Sequence, residues 1–136
     1  IPRFLTSEGF AEYTYRDELI TKLRAIQLRS MQQTNNSTCK QIKVETSPYS
    51  MGLQATGSVT NLCTADYAGD STKVTVDSKH NVSFTLSESL TSFFFSLLGK
   101  PLGCTPVNLC GITITVDGEN SAPQLLINSE GYIHAI

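Results

Sequence analysis

The chain contains two residues of the type that most often serves as a general base, His80 and His134. Nucleophilic catalysis needs a nucleophile beside such a base and a third group that orients the base. Neither histidine adjoins a nucleophile motif such as G-x-S-x-G. His80 falls in a predicted hairpin turn. His134 lies between Ile133 and Ile136 in a predicted last strand, where we expect its side chain on a face of the sheet. We therefore expect two surface histidines and no catalytic site.

Carboxylates are spread along the chain, and one short stretch, Asp117-Gly118-Glu119-Asn120, has the composition of a calcium loop. A calcium loop of the EF-hand type supplies oxygen ligands at alternating positions and ends with a bidentate glutamate. This stretch has neither feature, so the pattern favours a turn. We expect no metal and no cofactor.

The four cysteines are Cys39, Cys63, Cys104 and Cys110, and no two of them form a C-x-x-C pair. That spacing argues against a zinc site or a thioredoxin-type redox centre and favours two disulfides. Four cysteines allow three pairings. We prefer Cys104–Cys110, which closes a short loop, together with Cys39–Cys63. Structural disulfides indicate an oxidising, secretory or extracellular compartment.

Three glycosylation sequons support the same compartment, and the first is Asn35-Asn36-Ser37. Asn36 is followed by Ser37 and Thr38, and Asn81 is followed by Val82 and Ser83, both in polar stretches. Chains rich in Asn, Ser and Thr also produce such triplets by chance. Asn36 and Asn81 are therefore candidate glycosylation sites.

The run Phe93-Phe94-Phe95 is the most unusual local feature, because it puts aromatic rings on both faces of one predicted strand. A strand that is buried on one side needs apolar residues on one face only. One hypothesis is that the N-terminal helix covers the second face. The other is that Phe94 points outward and anchors a binding partner.

Helical periodicity is confined to the beginning of the chain. Thr14, followed three residues later by Asp17, resembles a capping box. Apolar residues then recur at helical spacing, at Leu19, Ile20, Leu23 and Ile26. The pattern predicts a helix from about Tyr15 to about Leu28 that covers a sheet edge or one end of a barrel. A partner-binding helix is the alternative.

Beyond residue 40 the apolar pattern changes to a period of two, which is typical of half-buried strands. Turn-forming residues separate the alternating segments, as at Gly99-Lys100-Pro101. The sequence therefore predicts a mainly β domain, an antiparallel β-sandwich or barrel with one N-terminal helix. The predicted strands contain Ile42 and Val44; Met51, Leu53 and Ala55; Val74 and Val76; Val82, Phe84 and Leu86; Phe93, Phe95 and Leu97; Ile112, Ile114 and Val116; Leu125 and Ile127.

Length and charge limit the classes of partner. The 136 residues predict a single domain that spans 1–136. Charged residues make up 16% of the chain, and the net charge of −2 comes without any Lys/Arg cluster, so nothing predicts binding to nucleic acid. The longest apolar run, Phe93 to Leu98 with its flanks, is far shorter than the roughly 20 residues of a membrane span, so direct membrane insertion is not expected.

Two segments carry a family resemblance: Ser89 to Gly99 (SLTSFFFSLLG) and Gly131 to Ile136 (GYIHAI). They resemble the galectin-like C-terminal domain of apicomplexan micronemal adhesins. The resemblance implies a galectin-like sandwich of jelly-roll type, secreted through the microneme as part of a complex for host-cell invasion. It also implies an EGF-like domain of a membrane-anchored adhesin as the partner that this domain binds and helps to fold.

The sequence departs from galectins that bind β-galactosides, which use a His-x-Asn-x-Arg motif and a tryptophan. There is no tryptophan, and His80 is followed by Asn81, Val82, Ser83 and Phe84. A conventional galactoside site is absent, so we expect a non-catalytic extracellular protein-interaction module. The alternative is a carbohydrate-binding domain with an unconventional site, and a small secreted hydrolase or inhibitor is a third hypothesis. In the carbohydrate-binding alternative, the ring on which the sugar stacks would come from Tyr49, Tyr67 or Tyr132.

Overall fold

A computed structural model describes residues 11–32, 39–46, 49–57, 63–77, 80–87, 90–96, 98–102, 111–118 and 121–136. Within these ranges the chain forms one α-helix followed by ten strands in two antiparallel sheets. The prediction of a mainly β chain with one N-terminal helix is confirmed.

The helix α1 spans Ala11–Gln32 and buries one continuous stripe of side chains. The predicted helix is therefore present, but its predicted start is wrong. Thr14 lies inside the helix, and the Asp17 carboxylate pairs with Arg16 at 3.1 Å. The buried stripe continues through Tyr15 to Ala11, so the described helix extends past the predicted capping box at Thr14 and Asp17. Among the described residues, no helix is both long enough and apolar enough to span a membrane.

Ten short strands follow α1. In chain order the strands are β1 (Gln41–Thr46), β2 (Tyr49–Thr56), β3 (Cys63–Tyr67), β4 (Lys73–Thr75), β5 (Ser83–Leu86), β6 (Ser92–Phe95), β7 (Pro101–Leu102), β8 (Ile112–Asp117), β9 (Gln124–Ile127) and β10 (Ile133–Ala135). In the first sheet the order is β3-β2-β1-β6-β7, with β4 also paired to β2, and in the second it is β10-β9-β8-β5.

All seven of these predicted strands are present within a residue or two of their predicted positions, and β10 is the strand on which the sequence placed His134. Sequence patterns missed β3 and β7, because β3 reads C-T-A-D-Y without Val, Ile, Leu or Phe and β7 has only two residues. The predicted hairpin around His80 is wrong. β4 belongs to the first sheet and β5 to the second, so residues 76–82 cross from one sheet to the other.

One hydrophobic core joins the helix to both sheets. In the first sheet, the rings of Phe93 and Phe95 meet edge to face with centroids 5.9 Å apart. The fully buried large side chains come from all three layers: Leu19, Leu23 and Ile26 of α1; Ile42, Met51, Phe93 and Phe95 of the first sheet; Ile112, Ile114, Leu125, Ile127 and Ile133 of the second.

A disulfide joins Cys39, just before β1, to Cys63, the first residue of β3, with the Cα atoms 5.0 Å apart. This predicted pair is confirmed, and it supports an oxidising environment for the chain. Cys104 and Cys110 lie outside the described residues, so their pairing stays a prediction. Asn36 also lies outside them, whereas Asn81 is exposed in the crossover between the sheets.

Replacing Cys39 and Cys63 together by Ser should lower the free energy of unfolding by about 3 kcal/mol, because the bridge closes a loop with a sequence separation of 24. Urea unfolding followed by circular dichroism measures the loss. The paired replacement of Cys104 and Cys110 is the comparison, with a smaller expected loss because that loop is shorter. An alkylatable thiol at Cys39 or Cys63 in the folded, oxidised protein would contradict the bridge.

Candidate interaction surface

Gln27 ties α1 to one turn of each sheet. Its Nε2 donates to the carbonyl oxygen of Gly99 at 2.7 Å, in the β6–β7 turn, and to that of Gly131 at 2.6 Å, in the β9–β10 turn. An amide nitrogen carries two N–H groups, so the two bonds use its whole donor capacity. We call Gln27, Gly99 and Gly131 the glutamine clasp.

The two clasp glycines permit a close approach that other residues would prevent. Gly99 and Gly131 have φ angles of 81° and 97°, in the left-handed region that favours glycine. A Cβ on Gly131 would overlap the Gly99 carbonyl oxygen. The same two turns are also linked by an exposed ion pair, Lys100 to Glu130 at 3.8 Å, which adds little stability. The clasp therefore depends on glycine at both turns.

Exposed apolar side chains surround the clasp. Leu28 follows Gln27 and Leu98 precedes Gly99, and both are exposed, Leu98 by 75%. Met31 is also exposed, and its Sδ lies 3.0 Å from the position that a Cβ on Gly99 would take. We call Leu28, Met31 and Leu98 the apolar rim. Single exposed apolar residues are ordinary, and Leu28 adjoins the clasp in sequence only, but Met31 and Leu98 stand together beside one fixed junction, which makes them candidates for an interaction surface.

Phe94 lies on the outer face of the first sheet. It is 40% exposed, whereas Phe93 and Phe95 are buried. Its neighbours in register are Gln41 on β1 and Leu102 on β7. Because α1 packs against the inner face, the hypothesis that the helix covers Phe94 is wrong. Phe94 remains a candidate anchor for a partner.

His80 has a structural contact with the helix. The backbone N–H of Asp77 donates to the Tyr15 hydroxyl oxygen at 2.9 Å, and that hydroxyl lies 2.8 Å from Nδ1 of His80. These bonds hold the crossover segment 76–82 on α1. In the part of the chain that the structure describes, no three metal-ligating side chains come together.

The three tyrosines considered as stacking rings differ in environment. Tyr49 packs edge-on against Phe84, with centroids 6.5 Å apart. Tyr67 lies between two lysines. Tyr132 is 61% exposed and stacks on His134 with centroids 4.6 Å apart. Among these three, Tyr132 is the ring that is most accessible to a ligand.

A second polar cluster lies on the outer face of the first sheet, around Tyr67. The Nζ atoms of Lys43 and Lys73 lie 4.8 and 5.2 Å from the centroid of its ring. The Tyr67 hydroxyl lies 3.0 Å from Oγ of Ser50, and Lys43 also pairs with Glu45 at 3.1 Å. Lys43 donates as well to the carbonyl oxygen of residue 65, so the cluster links β1 to β3 across β2.

The cluster changes the ionisation of two of its members. The hydrogen bond from Lys43 holds the pKa of Glu45 below its usual value. Burial is the largest cause that raises the pKa of Tyr67, to about 12, and the nearby Glu45 carboxylate adds to it. Because its cations are already paired within the cluster, we assign it a structural role.

Sequence patterns located part of this surface. Gly99 stands in a predicted turn, and the two segments that carry the family resemblance meet at the clasp. Nothing in the sequence indicated Gln27 or the apolar rim, because their partners are distant along the chain. Apolar residues beside turn glycines, such as Leu98, were the signal available.

Replacing Gln27 by Ala should lower the free energy of unfolding by about 2 kcal/mol, because two carbonyl groups of buried glycines lose their donor. Gln32→Ala, at an exposed position of the same helix, is the matched control and should change stability by less than about 0.5 kcal/mol. Urea unfolding measures both variants. Equal losses in the two variants would contradict the clasp.

Tyr67 should make the folded state sensitive to strong alkali. Its pKa is about 12 in the folded chain and near 10 in the unfolded chain, so its stabilising contribution is present below about pH 10 and is lost as pH rises towards 12. Spectrophotometric titration should show one tyrosine that ionises near pH 12, and Tyr67→Phe should remove it. Tyr13→Phe is the control, and a late ionisation that persists in Tyr67→Phe would contradict the assignment.

Two crystal structures of the type IV minor pilin FimU from Pseudomonas aeruginosa are similar to this chain. One has a TM-score of 0.63 at 14% sequence identity and covers 91% of this chain and 87% of FimU. The other has a TM-score of 0.63 at 13% identity and covers 91% of both chains. No protein-family model and no curated protein sequence matches the chain. The similarity to FimU therefore shows a shared fold.

Proposed function

We propose that this chain is a non-catalytic protein-interaction domain that acts as one subunit of an extracellular assembly, in the manner of a minor pilin. The observation that carries the proposal is the apolar rim: Leu28, Met31 and Leu98 are exposed around a junction that the glutamine clasp fixes. A fixed surface loses little conformational freedom on binding, so more of its contact energy appears as affinity.

The fold supports a subunit role. FimU is a type IV minor pilin, and this chain shares its fold over 91% of its length. Because one fold can serve many functions, the similarity supports the proposal without carrying it. The disulfide Cys39–Cys63 is consistent with an extracellular assembly.

The end strands of the sheets favour a partner that contacts side chains over a partner that adds a strand to a sheet edge. Arg24 donates to the carbonyl oxygen of Ile133 at 2.8 Å, on the end strand β10. Gln54 donates to that of Thr64 at 2.7 Å, on the end strand β3. The end strand β7 is two residues long and begins with Pro101. Short edge strands and edge prolines are among the means by which proteins block strand addition, so at β7 a partner would meet side chains rather than a free strand edge.

The adhesin hypothesis predicts that a surface of the same kind binds a different partner. It specifies a galectin-like sandwich, secretion through the microneme, and an EGF-like domain that this chain binds and helps to fold. Both hypotheses need exposed apolar anchors, and Phe94 supplies a further one on the first sheet. They differ in the chemistry of the partner, which is a pilin-type domain in one case and a small disulfide-rich module in the other.

Replacement of the rim should weaken the assembly without unfolding the chain. Isothermal titration of the purified chain against pilin-type domains from its own organism should give saturable binding, and Leu98→Ser or Met31→Ser should weaken it at least about tenfold. Tyr13→Ser, at an exposed position nearer the start of α1, is the control and should bind as wild type does.

Two further titrations separate the alternatives. In the first, the chain is titrated against EGF-like modules from the same organism instead of pilin-type domains. In the second, the Phe94→Ser variant is titrated in place of the rim variants. Since Phe94 is exposed, its replacement should leave the free energy of unfolding nearly unchanged. Binding to EGF-like modules alone would favour the adhesin hypothesis. Failure to bind either class, or full affinity in both rim variants, would overturn the proposal of the rim as the interface.

A further inference from the structure

Met31 carries the accessible reduced sulfur atom of the described chain. The sequence has two methionines, and they differ sharply in exposure: Met31 on α1 is 47% exposed, whereas Met51 on β2 is 1% exposed. The described cysteines, Cys39 and Cys63, are joined in a disulfide, and no free cysteine stands in the described part of the chain. Of these sulfur atoms, an oxidant that reaches the folded chain therefore meets the Met31 thioether first.

The Met31 thioether packs on the glutamine clasp. Met31 follows Gln27 by one helical turn, so the two side chains lie on the same face of α1. Both reach the same point above Gly99: a Cβ there would stand 3.0 Å from Sδ of Met31 and 3.3 Å from Nε2 of Gln27. The sulfur thus lies beside the amide whose two N–H groups hold the carbonyl oxygens of Gly99 and Gly131.

We propose that Met31 is an oxidation site, at which hydrogen peroxide converts the thioether to the sulfoxide and thereby loosens the clasp and disables the apolar rim. In this step a sulfur lone pair attacks one peroxide oxygen, and the S–O bond forms as the O–O bond breaks. The other oxygen takes both hydrogens and leaves as water, so the sulfur loses two electrons and the peroxide gains them. Methionine sulfoxide reductases reverse the step, which makes the modification a switch.

The added oxygen changes the site in two ways. A sulfoxide oxygen is a strong hydrogen-bond acceptor, whereas a thioether sulfur is a weak one. Beside Nε2 of Gln27, it competes with the carbonyl oxygens of Gly99 and Gly131 for two N–H groups that are already fully used. It also makes polar a side chain that stands with Leu98 at the junction, and burying a polar group in an apolar interface costs free energy.

Two measurements test the oxidation site without a partner. The folded chain is treated with hydrogen peroxide, and peptide mass spectrometry follows the gain of one oxygen atom at each methionine. Met31 should react at least about tenfold faster than Met51, because oxidation follows exposure. In the isotopically labelled chain, the side-chain amide signals of Gln27 should shift on oxidation, and the urea midpoint of unfolding should fall.

Two variants serve as controls, each compared with its own untreated form. Met31→Leu removes the exposed thioether, so peroxide should leave its Gln27 signals and its urea midpoint where they were. Met51→Leu removes the buried thioether and should respond to peroxide as wild type does. Equal oxidation rates at the two methionines, or Gln27 signals that stay unchanged in the oxidised wild-type chain, would overturn the proposal.

The effect on partner binding rests on the proposed function and has its own measurement. In the titration against pilin-type domains, oxidation should weaken binding by the wild-type chain at least about tenfold, and reductase treatment should restore it. Peroxide should leave the affinity of Met31→Leu at its own untreated value. Full affinity in the oxidised wild-type chain would also overturn the proposal. Absence of binding by the untreated chain would contradict the proposed function alone, and the two partner-free measurements would then decide the oxidation site.

Discussion

The structure depends on one packing contact: a single buried stripe of α1 packs against the inner faces of both sheets. Leu19, Leu23 and Ile26 are almost completely buried there, beside Phe93 of the first sheet and Ile114 of the second. A 22-residue helix with many charged residues would be only marginally helical alone in water. Each sheet, in turn, would expose one apolar face without the helix. Helix and sheets therefore stabilise one another, and the relative position of the two sheets follows from how each packs on α1.

That arrangement explains why one polar side chain can fix the surface around it. Because α1 contacts both sheets, Gln27 reaches a turn from each of them and satisfies two carbonyl groups with one amide. The residues beside those turns, Leu98 and Tyr132, are then presented on a rigid frame although both are highly exposed. Two surfaces of different chemistry arise from one junction, an apolar rim next to Gly99 and an aromatic platform next to Gly131.

Local pattern predicted the elements whose burial alternates regularly, and it failed where long-range contacts decide. In β8 every second residue is buried, so the strand was evident, whereas β3 has no such alternation. Turns were predicted both at His80 and at Asp117-Gly118. The second closes a hairpin between β8 and β9, in which the Gly118 N–H donates to the Ser121 carbonyl oxygen, whereas the chain at His80 leads from one sheet into the other. Gln27 was beyond prediction, since its two partners lie 72 and 104 residues away.

The two sheets expose different aromatic residues on their outer faces. Phe94 projects from the outer face of the first sheet and Tyr132 from that of the second, and both inner faces share one core. Outer faces on opposite sides of a core cannot both meet one small, rigid partner. A contact through Phe94 and a separate contact through Tyr132 are therefore compatible with each other. The fold shared with FimU supplies the scaffold for both, and at 14% identity the chemistry of these exposed side chains, rather than the fold, must decide what this chain binds.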